Sequence, residues 1–168
     1  MNNLILIGMP SSGKSTAGVL FAKNIGYGFI DCDLLILNEQ KALLCDIIER
    51  EGVEGFLRIE ERVNASLWAD RCVIATGGSV VYSDVAMKHL RSMGRVIYLK
   101  LSPEEVVRRI KNLERRGVVM RGDVRTLHDL YLERAPLYER YADVTVTCDR
   151  EELDDTVAKL IAATEDCV

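Results

Sequence analysis

Residues 8–16 have the types and spacing of a phosphate-binding loop. They read GMPSSGKST and fit the pattern G-x-x-x-x-G-K-S/T, which is known as the P-loop. The glycines let successive backbone N–H groups turn toward one anion, and the helix that follows presents its positive end to the same anion. We therefore expect a polyphosphate here, with Lys14 on the β- and γ-phosphates and the Ser15 hydroxyl on a magnesium ion.

The segments on either side of this loop are those that such a loop requires. Residues 3–7 form a short apolar run of strand type, and residues 17–23 have the pattern of a helix. The alternative, an ordinary Gly/Ser turn, is disfavoured because the motif stands in its confirming context. We assign nucleotide binding to the loop positions Gly8, Ser11, Ser12, Gly13, Lys14, Ser15 and Thr16.

Polar residues also follow two other apolar runs. Asp31 and Asp33 come at the end of residues 26–31, and the sequence TGGS at residues 76–79 follows residues 72–75. Because the carboxyl ends of parallel strands meet at one edge of a sheet, we expect these groups beside the P-loop. Either aspartate has an alternative role as a helix cap, but two carboxylates at this edge favour a functional site.

Strand and helix patterns alternate along the chain. An α/β fold is therefore expected, with a central parallel five-stranded sheet flanked by helices, and nothing marks a second domain within residues 1–168. The strands are predicted at residues 3–7, 26–31, 72–75, 95–101 and 144–147. The helices are predicted at residues 17–23, 34–40, 43–50, 53–68, 84–93, 126–141 and 151–164, with one more from the start signal Ser102-Pro103.

Composition and charge exclude several classes of protein. A formal charge of -4 and a pI near 5.3 disfavour nucleic-acid binding, which normally needs a basic face. The five cysteines are scattered without a C-x-x-C pair, which indicates reduced, mostly buried thiols rather than a disulfide framework or a zinc site. No apolar run approaches the length of a membrane span, and no targeting segment precedes the first strand. We expect a cytoplasmic protein without a nucleic-acid or membrane partner.

Four positions are expected to have structural roles. Gly52, with Glu51 before it, interrupts the helical pattern and predicts a break there. Trp68, the only tryptophan, is expected to pack into the core. His89 and His128 have no metal-ligand partner nearby in the sequence, so we expect them at the surface or hydrogen-bonded.

Arginines are concentrated in the second half of the chain. Residues 111–125 contain several of them, including Arg115 and Arg116, together with two glycines and little periodicity. We interpret this segment as a mobile lid, although a solvated charge run is an equal alternative on spacing alone. Arg134 lies in the next predicted helix, where a surface position is the alternative to binding an anion through the planar fork of guanidinium donors.

Taken together, these motifs resemble those of the shikimate kinase family. The resemblance rests on the P-loop, the DCD at residues 31–33, the TGGS at 76–79, the arginine-rich lid and the RAPLY sequence that begins at Arg134, and it extends from Leu4 to about Val157. It implies a single-domain P-loop kinase fold that acts as a monomer. It also implies transfer of the γ-phosphate of ATP, with Mg²⁺, to the 3-hydroxyl of shikimate.

The same resemblance implies a role for each matching residue. Asp31 would be linked to magnesium with Ser15, and Asp33 would contact the acceptor hydroxyl and take its proton. Lys14 and the lid residue Arg116 would stabilise the transferring phosphoryl group. The remaining assignments are Gly77, Gly78 and Arg134 to the acceptor, and Arg109 and Arg150 to adenine.

The chain departs from the family pattern in the acceptor half. Leu57 stands where the family has an arginine for the shikimate carboxylate, and its neighbour Arg58 would point about 100° away on a helix. Ser79 replaces the third glycine of a G-G-G, and Gly117 replaces a lid proline. These changes do not affect the P-loop residues expected to bind phosphate. A kinase of a different hydroxylated acid, with Arg58 and Ser79 in its pocket, is therefore an alternative.

Two other functions are open at this point. A nucleoside monophosphate kinase also has a P-loop and a lid, and tests with nucleoside monophosphates as acceptors discriminate it. A non-catalytic ATP sensor would bind MgATP and release no ADP with any acceptor. The retention of Asp33 and Arg116 favours an enzyme, because a sensor needs neither.

Overall fold

Five parallel strands form the centre of the fold. In the computed structural model, which describes residues 2–110, 117–150 and 152–165, the strands are ordered β2-β3-β1-β4-β5. Their bounds are β1 Asn3–Ile7, β2 Gly28–Asp31, β3 Cys72–Ala75, β4 Gly94–Lys100 and β5 Val144–Thr147. The predicted α/β fold with a parallel five-stranded sheet is confirmed, and every predicted strand lies within a few residues of an observed one.

Helices pack against both faces of this sheet. Residues 4–7 of β1 are buried apolar side chains, and β1 pairs in register with β3 (Leu4 with Val73) and with β4 (Leu4 with Arg95). Strands buried on both faces read as continuous apolar runs, which explains the sequence of β1. The helices are α1 Lys14–Ile25, α2 Cys32–Gln40, α3 Leu44–Ala65, α4 Asp84–Met93, α5 Pro103–Arg109, α6 Leu127–Tyr141 and α7 Leu153–Ala162.

Helix α3 is bent at Gly52. This glycine has φ 70° and ψ 173°, which no helical residue adopts, and the two predicted helices therefore meet end to end across it. The helix ends at Ala65, three residues before the predicted end. The prediction for Trp68 is wrong, because its side chain lies beyond the helix end and is 73% exposed.

Local signals at other helix ends agree with the structure. The Ser102 side chain accepts a hydrogen bond from Glu105 N and Pro103 begins α5, as predicted. His89 Nε2 lies 2.7 Å from Leu67 O and His128 is exposed, in agreement with the predicted hydrogen-bonded or surface positions. Among the cysteines within the described ranges, Cys32 and Cys148 are buried, Cys45 and Cys72 are partly exposed, and all are free thiols. No helix in the described part of the chain is both long and apolar enough to cross a membrane.

The strand order places the polar residues at one edge. Strand β1 lies between β3 and β4, so the chain leaves the sheet in opposite directions after β1 and β3. Ligands of parallel sheets bind in the crevice at such a switch point, beyond the carboxyl ends of the strands. The P-loop follows β1, Asp31 ends β2, and residues 76–79 follow β3.

Candidate active site

A cavity of about 330 Å³ opens at this edge of the sheet. Its walls come from the P-loop, the start of α2, one face of α3, the loop after β3, residues 117–119 and α6. Among its polar lining residues are Ser11, Lys14, Ser15, Thr16, Asp33, Glu60, Ser79 and Arg134. Residues of the P-loop, Asp33 and the TGGS sequence, which were predicted from separate motifs, therefore share one space, whereas Asp31 does not line it.

The P-loop wraps around the side chain of Lys14. Gly13 has φ 95° as the residue before α1, and Lys14 Nζ donates to Gly8 O at 2.9 Å and to Met9 O at 3.0 Å. A side chain at Gly8 would collide with Leu99 O, since a Cβ there would lie 2.6 Å from it. The loop thus needs glycine for close packing at its first position and for a left-handed backbone at its sixth.

The two aspartates after β2 have different surroundings. Asp31 caps α2, and its Oδ1 accepts from Asp33 N at 2.9 Å and from Leu34 N at 3.3 Å. The capping role, which the sequence left open for either aspartate, is therefore filled by Asp31. Asp33 lies in the first turn of α2 and lines the cavity. Of these two aspartates, Asp33 is the one available to a molecule bound in the cavity.

Glu60 is a cavity residue that the sequence analysis missed. It is 2% exposed, and its Oε1 has no hydrogen-bond partner among the described residues. A Cβ at Gly77 would collide with Glu60 Oε1 and lie 2.9 Å from Asp33 Oδ1, so glycine there lets two carboxylates approach the backbone. The signal was a charged residue on the buried stripe of α3, one turn from Phe56 and Val63.

Burial shifts the pKa values of Asp33, Glu60 and Lys14. Desolvation raises the pKa of Asp33 to about 6, an effect that the nearby Lys14 ammonium partly offsets. Desolvation also raises the pKa of Glu60 to about 7, although a hydrogen bond from Ser79 lowers it. The pKa of Lys14 falls to about 8, again mainly through burial, with Asp33 opposing the fall. Clustered pKa shifts of this kind make the cleft a candidate functional site.

Arg134, which lies on α6, lines the same cavity. It is 1% exposed, and it donates through Nε to Tyr82 Oη at 3.0 Å and through Nη2 to Val119 O at 2.7 Å. A Cβ at Gly78 would lie 3.0 Å from its remaining nitrogen, Nη1. The surface position that spacing alone would favour is thus contradicted, and Arg134 is a buried cation beside the TGGS loop.

Other predicted site residues lie elsewhere. Arg58 is exposed and lines a separate cavity beside Leu57, and Arg109 donates to Glu105 Oε1 at 2.5 Å and to Cys148 O at 2.8 Å. Arg150, two residues after Cys148, has φ 53°, and neither Arg109 nor Arg150 lines the main cavity. The predicted lid residues Arg115 and Arg116 lie outside the described residues.

Replacing Glu60 by glutamine is expected to stabilise the protein at pH 8 but not at pH 5. The pKa of Glu60 is raised by burial, so ionisation above about pH 7 opposes folding, whereas at pH 5 the folded carboxyl is protonated. A shift from 4.5 to about 7 corresponds to about 3 kcal/mol. Urea denaturation of Glu60→Gln at both pH values measures this.

The matched control for that measurement is Glu54→Gln on the same helix. The Glu54 side chain is 71% exposed, so its replacement is expected to change the free energy of unfolding by less than about 0.5 kcal/mol at either pH. A Glu60→Gln protein no more stable than the parent at pH 8 would contradict a buried, ionised carboxylate at this position.

Comparison with known proteins agrees with this arrangement. Residues 10–165 match the family model described as shikimate kinase. A shikimate kinase of Thiobacillus denitrificans is 40% identical over 154 residues, which cover 90% of this chain and 84% of the relative. A shikimate kinase of Symbiobacterium thermophilum is 37% identical over 163 residues, covering 95% of this chain and 94% of the relative.

A solved structure shows the same likeness in three dimensions. The shikimate kinase from Acinetobacter baumannii in complex with shikimate superposes with a TM-score of 0.88 at 28% identity, and the match covers 99% of this chain and 94% of that one. The family model spans more than half of the chain, and the relatives exceed 30% identity over most of its length. The chain therefore belongs to the shikimate kinase family.

Proposed function

We propose that this protein transfers the γ-phosphoryl group of ATP to the 3-hydroxyl of shikimate, giving shikimate 3-phosphate and ADP. The observation that carries the proposal is the shared cavity, in which Lys14 of the P-loop, the carboxylate of Asp33 and the guanidinium of Arg134 face one space. Phosphoryl transfer is catalysed chiefly by positioning and charge neutralisation, and these groups supply both.

The P-loop side of the cavity would bind the nucleotide. Backbone N–H groups of residues 11–16 and the start of α1 would hold the phosphates, with Lys14 on the transferred group. The residues present fit a magnesium ion, because Ser15 lines the cavity and Asp31 uses its Oδ1 as a cap, leaving Oδ2. When bound, the ion would neutralise charge on the β- and γ-phosphates.

The opposite side would bind the acceptor. Asp33 would orient the attacking hydroxyl and accept its proton, and Arg134 would pair with the acceptor carboxylate. The backbone at Gly77 and Gly78 and the Ser79 hydroxyl would complete this wall. Leu57 is half-buried and brings no cation to the pocket, which favours a different hydroxylated acid as the second candidate acceptor.

The remaining assignments belong to the same proposal. Arg116, in a lid at about residues 111–125, would stabilise the transferring phosphoryl group while the lid excludes water. Arg109 and Arg150 would flank adenine, since Arg150 lies in the loop after β5 and Arg109, at the end of α5, donates to Cys148 O in that loop. We further propose one kinase domain over residues 1–168, acting as a cytoplasmic monomer.

The rate is expected to depend on pH on both sides of neutrality. Below about pH 6, Asp33 in the free enzyme is protonated and cannot accept the hydroxyl proton, so kcat/KM for the acceptor falls. Above about pH 8, Lys14 loses the charge that binds phosphate, so kcat/KM falls again. Initial rates from pH 5 to pH 9 measure both limbs, and a flat profile between pH 5 and pH 7 would contradict Asp33 as the base.

An acceptor panel tests the proposal against its alternatives. ADP formation from MgATP is measured with shikimate, quinate, homoserine, threonine and nucleoside monophosphates. Efficient turnover of shikimate alone supports the proposal, whereas a much higher kcat/KM with another hydroxylated acid supports the second candidate. Turnover of nucleoside monophosphates would indicate the other kinase class. ATP binding without ADP release on any acceptor would indicate a sensor.

A further inference from the structure

Arg134 is a single cation beside two carboxylates. Its Nε and one N–H of Nη2 donate to Tyr82 Oη and Val119 O, and its Nη1 lies on the side of Gly78. A guanidinium has five N–H groups, so Arg134 can still donate to a bound carboxylate. Asp33 and Glu60 line the same cavity, and when ionised they repel an anionic acceptor. A second cation beside Arg134 would offset this repulsion.

A second cavity, of about 170 Å³, adjoins this cavity. It shares Glu60 and Ser79 with the main cavity, and Leu57 and Tyr82 also line it. Arg58 and Arg121 are the two arginines that line it. The second cation can therefore come from either of these two side chains.

The geometry favours Arg121 over Arg58. The Arg121 guanidinium carbon lies 4.7 Å from the centroid of the Tyr82 ring, and the Arg134 guanidinium carbon lies 5.0 Å from the same centroid. Both guanidinium groups therefore contact the ring of Tyr82. Arg58 is an exposed residue whose Nη2 is 3.8 Å from a Cβ built at Gly55, which places it back along its own helix.

The backbone near Arg121 is anchored, whereas the Arg121 side chain makes only a weak ion pair. Arg134 donates to Val119 O, and Val119 is buried against Phe56, so the backbone two residues before Arg121 is anchored to the acceptor wall. Arg121 Nε lies 3.9 Å from Glu54 Oε1, and both side chains are exposed. Such a contact contributes less than about 1 kcal/mol, so it is readily exchanged for a ligand.

We infer that Arg121 is a specificity-determining residue that supplies a second guanidinium for the acceptor carboxylate, beside Arg134 at the ring of Tyr82. This inference rests on the proposed function, because it assumes an acceptor that carries a carboxylate. The segment before α6 would thus bind the acceptor carboxylate, which Leu57 on α3 cannot do. Arg58 is thereby removed from the acceptor pocket.

The test compares shikimate with its methyl ester, which has no negative charge. Replacing Arg121 by alanine is expected to raise KM for shikimate by about 10- to 100-fold. In the same variant, kcat, KM for ATP and KM for the ester change by less than about threefold, because none of them depends on the carboxylate. Arg121→Lys is expected to recover part of the loss, since it keeps the charge without the planar fork. Thermal melts establish that each variant folds.

Arg58→Ala is the matched control, since it removes the same charge from the same cavity. It is expected to leave the preference for shikimate over the ester unchanged. A selective loss in Arg58→Ala, or an equal rise in KM for both acceptors in Arg121→Ala, would overturn the inference while leaving the proposed function intact. A parent enzyme that fails to phosphorylate shikimate would overturn both.

Discussion

Replacing Asp33 by asparagine is expected to lower kcat with shikimate by about 10²- to 10⁴-fold. Of the two aspartates after β2, Asp33 is the one that lines the cavity and does not serve as a helix cap. Burial raises its pKa to about 6, close to the range that suits a general base near neutral pH. Asparagine keeps the size and the hydrogen-bonding oxygen but cannot accept a proton. Steady-state kinetics with saturating MgATP measures the loss.

The matched control is Asp46→Asn. Asp46 also lies in the first turn of a helix, α3, but it is exposed and does not line the cavity. Its replacement is expected to leave kcat within about twofold of the parent enzyme, since it contacts no part of the site. If Asp33→Asn retained more than a tenth of the parental kcat, a role for Asp33 as proton acceptor would be untenable.

Replacing Lys14 by methionine is expected to lower kcat/KM for ATP by at least about 10²- to 10³-fold. Lys14 is 8% exposed and its ammonium group lies within the P-loop, where it would meet the transferred phosphate. Methionine fills similar space without the charge, so the loss is one of electrostatic stabilisation. Initial rates at varied ATP and fixed shikimate measure it.

Lys23→Met provides the comparison on the same helix. Lys23 is exposed near the end of α1, away from the cavity, and its replacement is expected to leave kcat/KM for ATP unchanged. Equal losses in the Lys14 and Lys23 variants would mean that the effect comes from net charge rather than from the phosphate site.

Much of the fold could be predicted because its signals are local. Buried strands of a parallel sheet read as apolar runs, and Ser102-Pro103 begins α5 through contacts within one turn. The break at Gly52 was likewise predictable, since glycine is the residue that adopts φ 70° at low cost. The P-loop is predictable for the same reason, because residues 8–16 carry its backbone geometry in consecutive positions.

The acceptor half depends on contacts between distant segments, which spacing does not encode. Glu60 stands out in the sequence as a charged residue on the buried stripe of α3, but its place in the cavity follows from the packing of α3 beside the loop after β3. Arg121 is recognisable only when its segment reaches Tyr82. Trp68 is exposed because α3 ends three residues earlier than its apolar pattern suggested. Arg58 is close in sequence to the expected position, yet it is exposed and its guanidinium lies near Gly55 of its own helix.

Identification of the phosphorylated product tests the central proposal most directly. The protein is incubated with MgATP and shikimate, and the mixture is followed by ³¹P NMR. We predict loss of the γ-phosphate signal and stoichiometric appearance of ADP and of a phosphate monoester coupled to the proton at carbon 3 of shikimate. Unchanged ATP, or release of inorganic phosphate without the ester, would contradict the account.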